Sequence, residues 1–385
     1  MSETIRVLHV LGGTGLGGAE SRIMDLYRQM NRDELQFDFL VHSSAVNGFR
    51  EDAPEREPQF YDEEIRQLGG HIYVLPKFKV YNYPAYKKAV QSFFKAHHEF
   101  RVVQGHMTST AGIYLPIAKK NGVPITVAHS RNAGVVKGLK GIATRFFRRN
   151  LVRKADYCFA CSELAGKDVF GDEAVCQGKV KIIHNAIDAG KFTYDPQRRA
   201  EVREKLGLRE QLVIGHVGRF DYQKNHPYLI EVFAKLCDRR QDAVLLLLGE
   251  GPGMDSIKEK CRALGIDGKV MFLGNQRQPE NYYQAMDIFL LPSYFEGLPG
   301  VLVEAQAAGL RCLVSDAVTR EAEATDLVTY LSIEQPAGEW AKRIEASASY
   351  ERRDTFQMMR DAGFDVATQA AGYRIFYQKG DSSGL

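Results

Sequence analysis

The stretch "VLHVLGGTGLGGAE", Val7 to Glu20, decides the fold. A short apolar run meets five glycines between Gly12 and Gly18, and Ile23, Leu26, Tyr27 and Met30 then recur on one helical face. A strand that turns through glycines into a helix is the opening unit of a parallel α/β domain. The same alternation continues outward through "QFDFLVH", "HIYVLP", "RVVQGH", "ITVAHS" and "DYCFAC". After "IIHNAID" a second series follows: "LVIGHVG", "AVLLLLG", "KVMFLG", "DIFLLP" and "RCLVSD". The expected architecture is two tandem Rossmann-like, doubly wound α/β domains, residues 1–189 and 190–362. Residues 363–385 form a helical tail whose expected packing partner is the first domain. From Trp340 onward the sequence reads as polar and helix-rich, with no new strand.

The chain has 385 residues, more than one core usually supports, and its 44% apolar and 26% charged residues are those of an ordinary globular protein. With 51 basic against 48 acidic side chains, the net charge of +3 argues against a nucleic-acid partner. No run approaches the roughly 18 apolar residues of a spanning helix, and the expected location is cytoplasmic or peripheral to the inner face of a membrane. Cys158 and Cys161 form a CxxC inside a strand, where side chains alternate; they read as small buried hydrophobes, not metal ligands.

Gly13-x-Gly15-x-x-Gly18 also fits the dinucleotide fingerprint of a nicotinamide oxidoreductase. That site needs an acidic residue at the end of the second strand to hold the ribose. Here the strand ends in His42 and Ser43, and Asp38 lies inside it, so the NAD reading fails. No Gly-Lys-Ser/Thr follows, which removes a P-loop as well. The glycines keep a simpler meaning: backbone that comes close to a ligand.

Stronger chemistry lies in "LLPSYFEGLPGVLVEAQAAG". Glu296 falls in a loop at a strand's carboxyl end, Pro299 marks a helix start, and Glu304 sits about one turn into that helix. The free amides of Gly300 and Val301 make an anion site suited to a diphosphate. Carboxylates beside such a site are better used to accept hydrogen bonds from sugar hydroxyls. Upstream, "GHVGRFDYQKNHPYLI" places Arg219 and Lys224 after the domain's first strand, where two cations can neutralise a diphosphate leaving group without a metal. No Asp-x-Asp pair occurs in the chain. The expectation is therefore no metal and no other cofactor.

"GGAE", "IIHNAID", "VGRF…QKN", "LLLLGEGP" and "PSYFEGLPGVLVEAQAAG" together resemble the retaining glycosyltransferases of family 4, over nearly the whole chain. "VLHVLGGTGLGGAESRIMDLY", "QFDFLVHS", "DEEIRQLGGHIY" and "AHSRN" are similar to bacterial exopolysaccharide and capsule transferases within that family. The resemblance implies a GT-B fold, acceptor binding in the first domain, donor binding in the second, and transfer across the cleft that they face. It implies that Arg219 and Lys224 bind the donor diphosphate, that Glu304 holds the ribose and Glu296 the transferred sugar, and that Gly300 and Val301 offer backbone donors. Gln276, in "GNQRQ", would lie beside the base. Gly17 and Gly18 would let the first loop close over the phosphates, and His129 would lie beside the sugar, with His106 a second candidate. The catalytic set is thus Glu296, His129, Arg219 and Lys224.

The expected partners are a nucleotide diphosphate sugar, preferably a UDP-hexose or UDP-N-acetylhexosamine, and a saccharide acceptor, free or polyprenyl-diphosphate-linked. A GDP-mannose-dependent mannosyltransferase and a catalytically idle sugar-nucleotide-binding subunit are the alternatives. Two positions depart from the family pattern: Gly300 where a bulkier aliphatic residue is usual, and Arg131 where His is expected. Val135 to Lys154 carries seven basic residues and no acid, with Leu139, Ile142, Ala143 and Phe146 at helical spacing. It reads as a basic amphipathic helix suited to an anionic membrane surface. "REDAPEREP", Arg50 to Pro58, reads as a mobile loop without chemistry.

Overall fold

The computed structural model of the chain describes residues 4–51, 53–131 and 138–385, and for 138–140, 142 and 143 the backbone alone. It divides into two compact units: Met1–Ala186 together with Val366–Leu385, and Ile187–Asp365.

The first unit is built on seven strands, β1 Ile5–Val10, β2 Leu35–Ser43, β3 Ile72–Pro76, β4 Phe100–Gly105, β5 Ile125–Ser130, β6 Tyr157–Ala160 and β7 Lys181–Ile182. They lie in the order β3-β2-β1-β4-β5-β6-β7, every pair parallel. Parallel sheets are covered on both faces, which is why β2 is buried along all but its last residue. One face packs on Ile23, Met24, Leu26 and Tyr27 of the helix Gly18–Arg28 and on Tyr373, Phe376 and Tyr377 of the last helix, Val366–Lys379. Arg101 ties that last helix down, donating from Nε to the Tyr377 carbonyl (3.0 Å) and from Nη2 to that of Gln378 (2.8 Å).

The second unit has six parallel strands, β8 Leu212–Val217, β9 Ala243–Leu248, β10 Val270–Gly274, β11 Ile288–Leu291, β12 Arg311–Ser315 and β13 Val328–Leu331, in the order β10-β9-β8-β11-β12-β13. Its core includes the chain's single tryptophan, Trp340, fully buried among Phe233, Leu236 and Ile344. In both units the strand order reverses once, between β1 and β4 and between β8 and β11. Such reversals open a crevice at the strands' carboxyl ends, where α/β proteins bind ligands.

Several expectations need correction. β7 and β13 were not anticipated; the first has two residues and the second is half-buried throughout, so neither carries a strong apolar run. The tail is not polar: Val366, Ala370, Tyr373, Phe376 and Tyr377 are buried. The described part of Arg50 to Pro58 is anchored rather than mobile, with Arg50 bridging Val74 and Arg56 paired to Asp62 at 2.7 Å, both of the latter side chains under a tenth exposed. The basic segment is two helices, Gly138–Arg148 and Leu151–Lys154, broken where Asn150 adopts a left-handed conformation (φ 60°). Residues 132–137 and the side chains of Leu139, Ile142 and Ala143 lie outside the described residues.

Candidate active site

In the second unit the loops after β8 and β11, neighbours at the reversal, are stitched together. The Tyr294 amide donates to the Gln223 carbonyl (2.9 Å), Gln223 Nε2 to that of Phe295 (3.0 Å), and Asn225 Nδ2 to that of Pro292 (3.1 Å). Asn225 reaches this position with φ 54°, a left-handed turn that Asn tolerates, and the helix His226–Cys237 starts directly after it, with Pro227 in its first turn. Below the loops, His216 Nδ1 donates to the Leu290 carbonyl across the same two strands (2.8 Å). Burial and Lys224 hold His216 and His226 neutral, His226 at about 4.

These loops bring Lys224 and Glu296 into contact, Nζ to Oε1, at 2.7 Å. The pair is largely buried, at 15% and 7% side-chain exposure, so its attraction is weakly screened. Glu296 Oε1 also accepts from Ser293 Oγ (2.8 Å), and Oε2 accepts from Gln223 Nε2 (2.9 Å). Each carboxylate oxygen offers two lone pairs, which leaves capacity on Oε2 for one more donor. Gly218 makes this geometry feasible: a Cβ there would lie 2.9 Å from His216 Nε2 and 3.1 Å from the Lys224 side chain.

Pro299 caps the helix Gly300–Ala307, and the amides of Gly300 and Val301 have no helical carbonyl behind them. Glu304, on the same helix, is buried and accepts from Tyr283 Oη at 2.8 Å. Arg219 follows β8 with an exposed side chain and joins no ion pair among the described residues. Gln276 folds back onto its own loop, donating to the Leu273 carbonyl. The exposed rings of Tyr222 and Tyr294 stack at 4.6 Å on the two stitched loops.

In the first unit, the reversal between β1 and β4 gathers histidines. His9 on β1 and His106 after β4 meet at 3.0 Å, and the rings of His106 and His129, at the end of β5, lie 5.3 Å apart. Arg131, less than a tenth exposed, donates from Nη1 to Asn185 Oδ1 (2.7 Å) and approaches His106 Nδ1 from Nε (3.4 Å). Burial and this guanidinium together press His9 down to about 3 and hold His106 and His129 well below the ordinary histidine range. All three rings are neutral at physiological pH.

Gly17 caps the helix Gly18–Arg28, and a side chain there would collide with the carboxylate of Glu20, which lies over the helix start. Space opposite Gly18 is open. Asp38 is committed elsewhere: it is fully buried and paired with Arg6 at 2.6 Å, so it cannot serve a ribose.

Sequence reasoning missed Gln223, Ser293 and Tyr283, which orient the two glutamates. Their signal was weak: each is a common residue in a turn or helix. Gln104, which holds His129, carried none.

Comparison with known proteins places the chain in a family. Residues 198–359 match the family model for glycosyl transferases group 1, and residues 16–191 that for glycosyltransferase family 4. The chain is 36% identical over 349 residues to the putative glycosyltransferase EpsF of Bacillus subtilis (strain 168), covering 89% of this chain and 88% of that one. It is 28% identical over 227 residues to the UDP-Gal:alpha-D-GlcNAc-diphosphoundecaprenol alpha-1,3-galactosyltransferase of Escherichia coli, covering 57% and 58%. Among solved structures it resembles Anabaena Alr3699/HepE in complex with UDP and glucose, with a TM-score of 0.68 and 17% identity over 96% of this chain and 95% of that one. The chain is therefore a glycosyltransferase of the GT-B fold and belongs to family 4.

Proposed function

We propose that this enzyme transfers a hexose or N-acetylhexosamine from a UDP-sugar to a saccharide acceptor carried on a polyprenyl diphosphate, in the assembly of an exopolysaccharide, capsule or other surface polysaccharide. The observation that carries the reading is the Lys224–Glu296 pair at the reversal between β8 and β11. A cation and a carboxylate there meet two needs of a sugar diphosphate, neutralising the leaving group and holding hydroxyls. Arg219 adds an exposed second cation, Gly300 and Val301 add backbone donors, and Glu304 takes the ribose. Gln276 contributes its backbone beside the base. The UDP preference is supported by the HepE complex and the galactosyltransferase above, and the lipid-linked acceptor by the latter's substrate.

Transfer retains the anomeric configuration. The bond from the anomeric carbon to the diphosphate oxygen breaks as the acceptor oxygen attacks the same face, and the departing phosphate oxygen takes the acceptor's proton. Lys224 and Arg219 stabilise the charge that develops, so no metal is needed. We assign His129 and Glu296 a role toward the sugar and Gly17 and Gly18 one toward the phosphates. A glycosyl-enzyme adduct detected by mass spectrometry would refute same-face attack.

Among the described residues no helix is long and apolar enough to cross a membrane. We place the protein at an anionic membrane surface through Val135 to Lys154, where Arg145, Phe146 and Arg149 are exposed. Arg148 is already paired with Asp168 at 3.3 Å. Arg145→Glu with Arg149→Glu therefore abolishes binding to anionic vesicles and leaves the fold intact; unchanged binding refutes this attachment.

The direct test is thermal stability against UDP, GDP, UDP-sugars, GDP-mannose and NAD with EDTA present, because a ligand selective for the native state raises the melting temperature. UDP and one UDP-sugar should stabilise, and Lys224→Ala should erase the shift. Stabilisation by GDP-mannose alone makes the enzyme a mannosyltransferase. Binding without turnover makes it an idle subunit.

A further inference from the structure

The last helix reaches the candidate site of the first unit through two side chains. Tyr377 Oη donates to Gln104 Oε1 at 2.6 Å, and Gln104 Nε2 contacts His129 Nδ1 at 2.8 Å. All three side chains are fully buried. Gln104 and His129 share a sheet face by register, since Gln104 pairs with Val127 and His129 lies two residues further along β5. In the structure the amide oxygen accepts the phenol's proton and the NH2 group faces the imidazole. A neutral imidazole that accepts at Nδ1 carries its proton on Nε2. His129 Nε2 is buried and meets no partner among the described residues, and leaving such a donor unsatisfied is costly.

We propose that Tyr377 and Gln104 are positioning residues that hold His129 as the neutral Nε2–H tautomer, so that this position offers a hydrogen-bond donor to an oxygen of the ligand. The inference rests on the reading of His129 as a residue beside the transferred sugar, and it gives the final helix a part in the chemistry. Around the ring, Arg131, His106 and His9 are the charged and titratable neighbours. All three are donors or neutral, so none competes with Gln104 for the tautomer by supplying a carboxylate. Protonation of the ring is opposed by burial and by Arg131, and tautomer choice is what remains to be set.

The test is 15N-histidine labelling of the full chain, with His129 assigned by the signal lost in His129→Gln. The wild-type enzyme should show Nδ1 as the unprotonated nitrogen and Nε2 as the protonated one. Gln104→Glu replaces the donor by an acceptor and should move the proton to Nδ1. Tyr377→Phe, which removes one oxygen and keeps the ring, frees the amide to rotate and should give both tautomers; it stands in if the buried glutamate prevents folding. In the same variants kcat should fall about tenfold, with the donor KM changed far less, as for loss of a group that orients a functional histidine. A wild-type His129 protonated on Nδ1, or one whose tautomer is unmoved in both variants, overturns the proposal whatever the activity. A tautomer that switches with kcat unchanged upholds the relay and instead overturns the role given to His129.

Discussion

The two crevices differ in how they carry charge. At the reversal in the second unit, a lysine and a glutamate are already paired, and the hydrogen bonds described for the glutamate's carboxylate come from the two stitched loops. At the reversal in the first unit, one buried guanidinium is surrounded by neutral groups, namely Asn185 and three histidines that it helps to keep uncharged. Under the proposed function the first arrangement exchanges one partner for another, a diphosphate taking over Lys224 while sugar hydroxyls take over Glu296. The second has nothing to exchange. Its order comes from hydrogen-bond direction rather than from opposite charges, so orientation matters there more than ionisation.

The largest break in this contrast is Lys224→Ala. It leaves Glu296 buried without its cation and should lower kcat/KM by about 10²–10³-fold, the scale set by losing one preorganised electrostatic donor. UDP-induced stabilisation should vanish with it. A variant within threefold of the wild type would mean that the pair only holds two loops together.

Acid separates the units next. Unfolded histidines titrate near 6.5, whereas burial holds His9 at about 3 and His42 and His226 at about 4. Between these limits the unfolded chain binds more protons than the folded one. Stability is therefore full above about pH 6.5 and declines as pH falls toward 4, by up to about 1.4 kcal/mol per pH unit for each such group. The first unit holds four depressed histidines, His9, His42, His106 and His129, against His216 and His226 in the second. Trp340 reports the second unit alone. Loss of far-ultraviolet circular dichroism at pH 5 should thus precede the change in tryptophan fluorescence, and coincident transitions would erase the distinction.

The smallest effect sharpens the contrast. Arg131→Gln removes the guanidinium, and the titrations of His106 and His129 should move upward, followed by NMR, while those of His216 and His226 stay where they are. An unmoved His129 would assign its neutrality to burial alone.

How much of this was legible in the sequence follows from how far apart the partners lie. The places of Lys224, Glu296, Gly300 and Glu304 could be read because each is local to one strand-loop-helix unit, and β8 and β11 needed only to be neighbours. Asp38 could be set aside by its place inside β2, and the pairing with Arg6 gives the physical reason. The link between Gln104 and Tyr377 spans 273 residues, and nothing at either end announces the other. The tail misled for a different reason: charged, amide and small residues are interspersed along it, yet Val366, Ala370, Tyr373 and Tyr377 follow each other at helical spacing and bury one face. In Val135 to Lys154 the basic pattern was plain, but the break at Asn150 was not, since a left-handed asparagine leaves no mark in hydrophobic periodicity.

The return of the last helix to the first unit also orders events during synthesis. The second unit is continuous in sequence, from Ile187 to Asp365, whereas the first has its closing piece at Val366–Leu385. Tyr373, Phe376 and Tyr377 belong to the core over β1, β4, β5 and β6, so the part of that face which the helix Gly18–Arg28 does not cover stays open after Ala186 has left the ribosome. At about 5–20 residues per second the delay lasts roughly 10–40 s. The usual vectorial order is thereby inverted: the later unit can mature first, and the earlier one waits with an open apolar face that is a natural client for a chaperone.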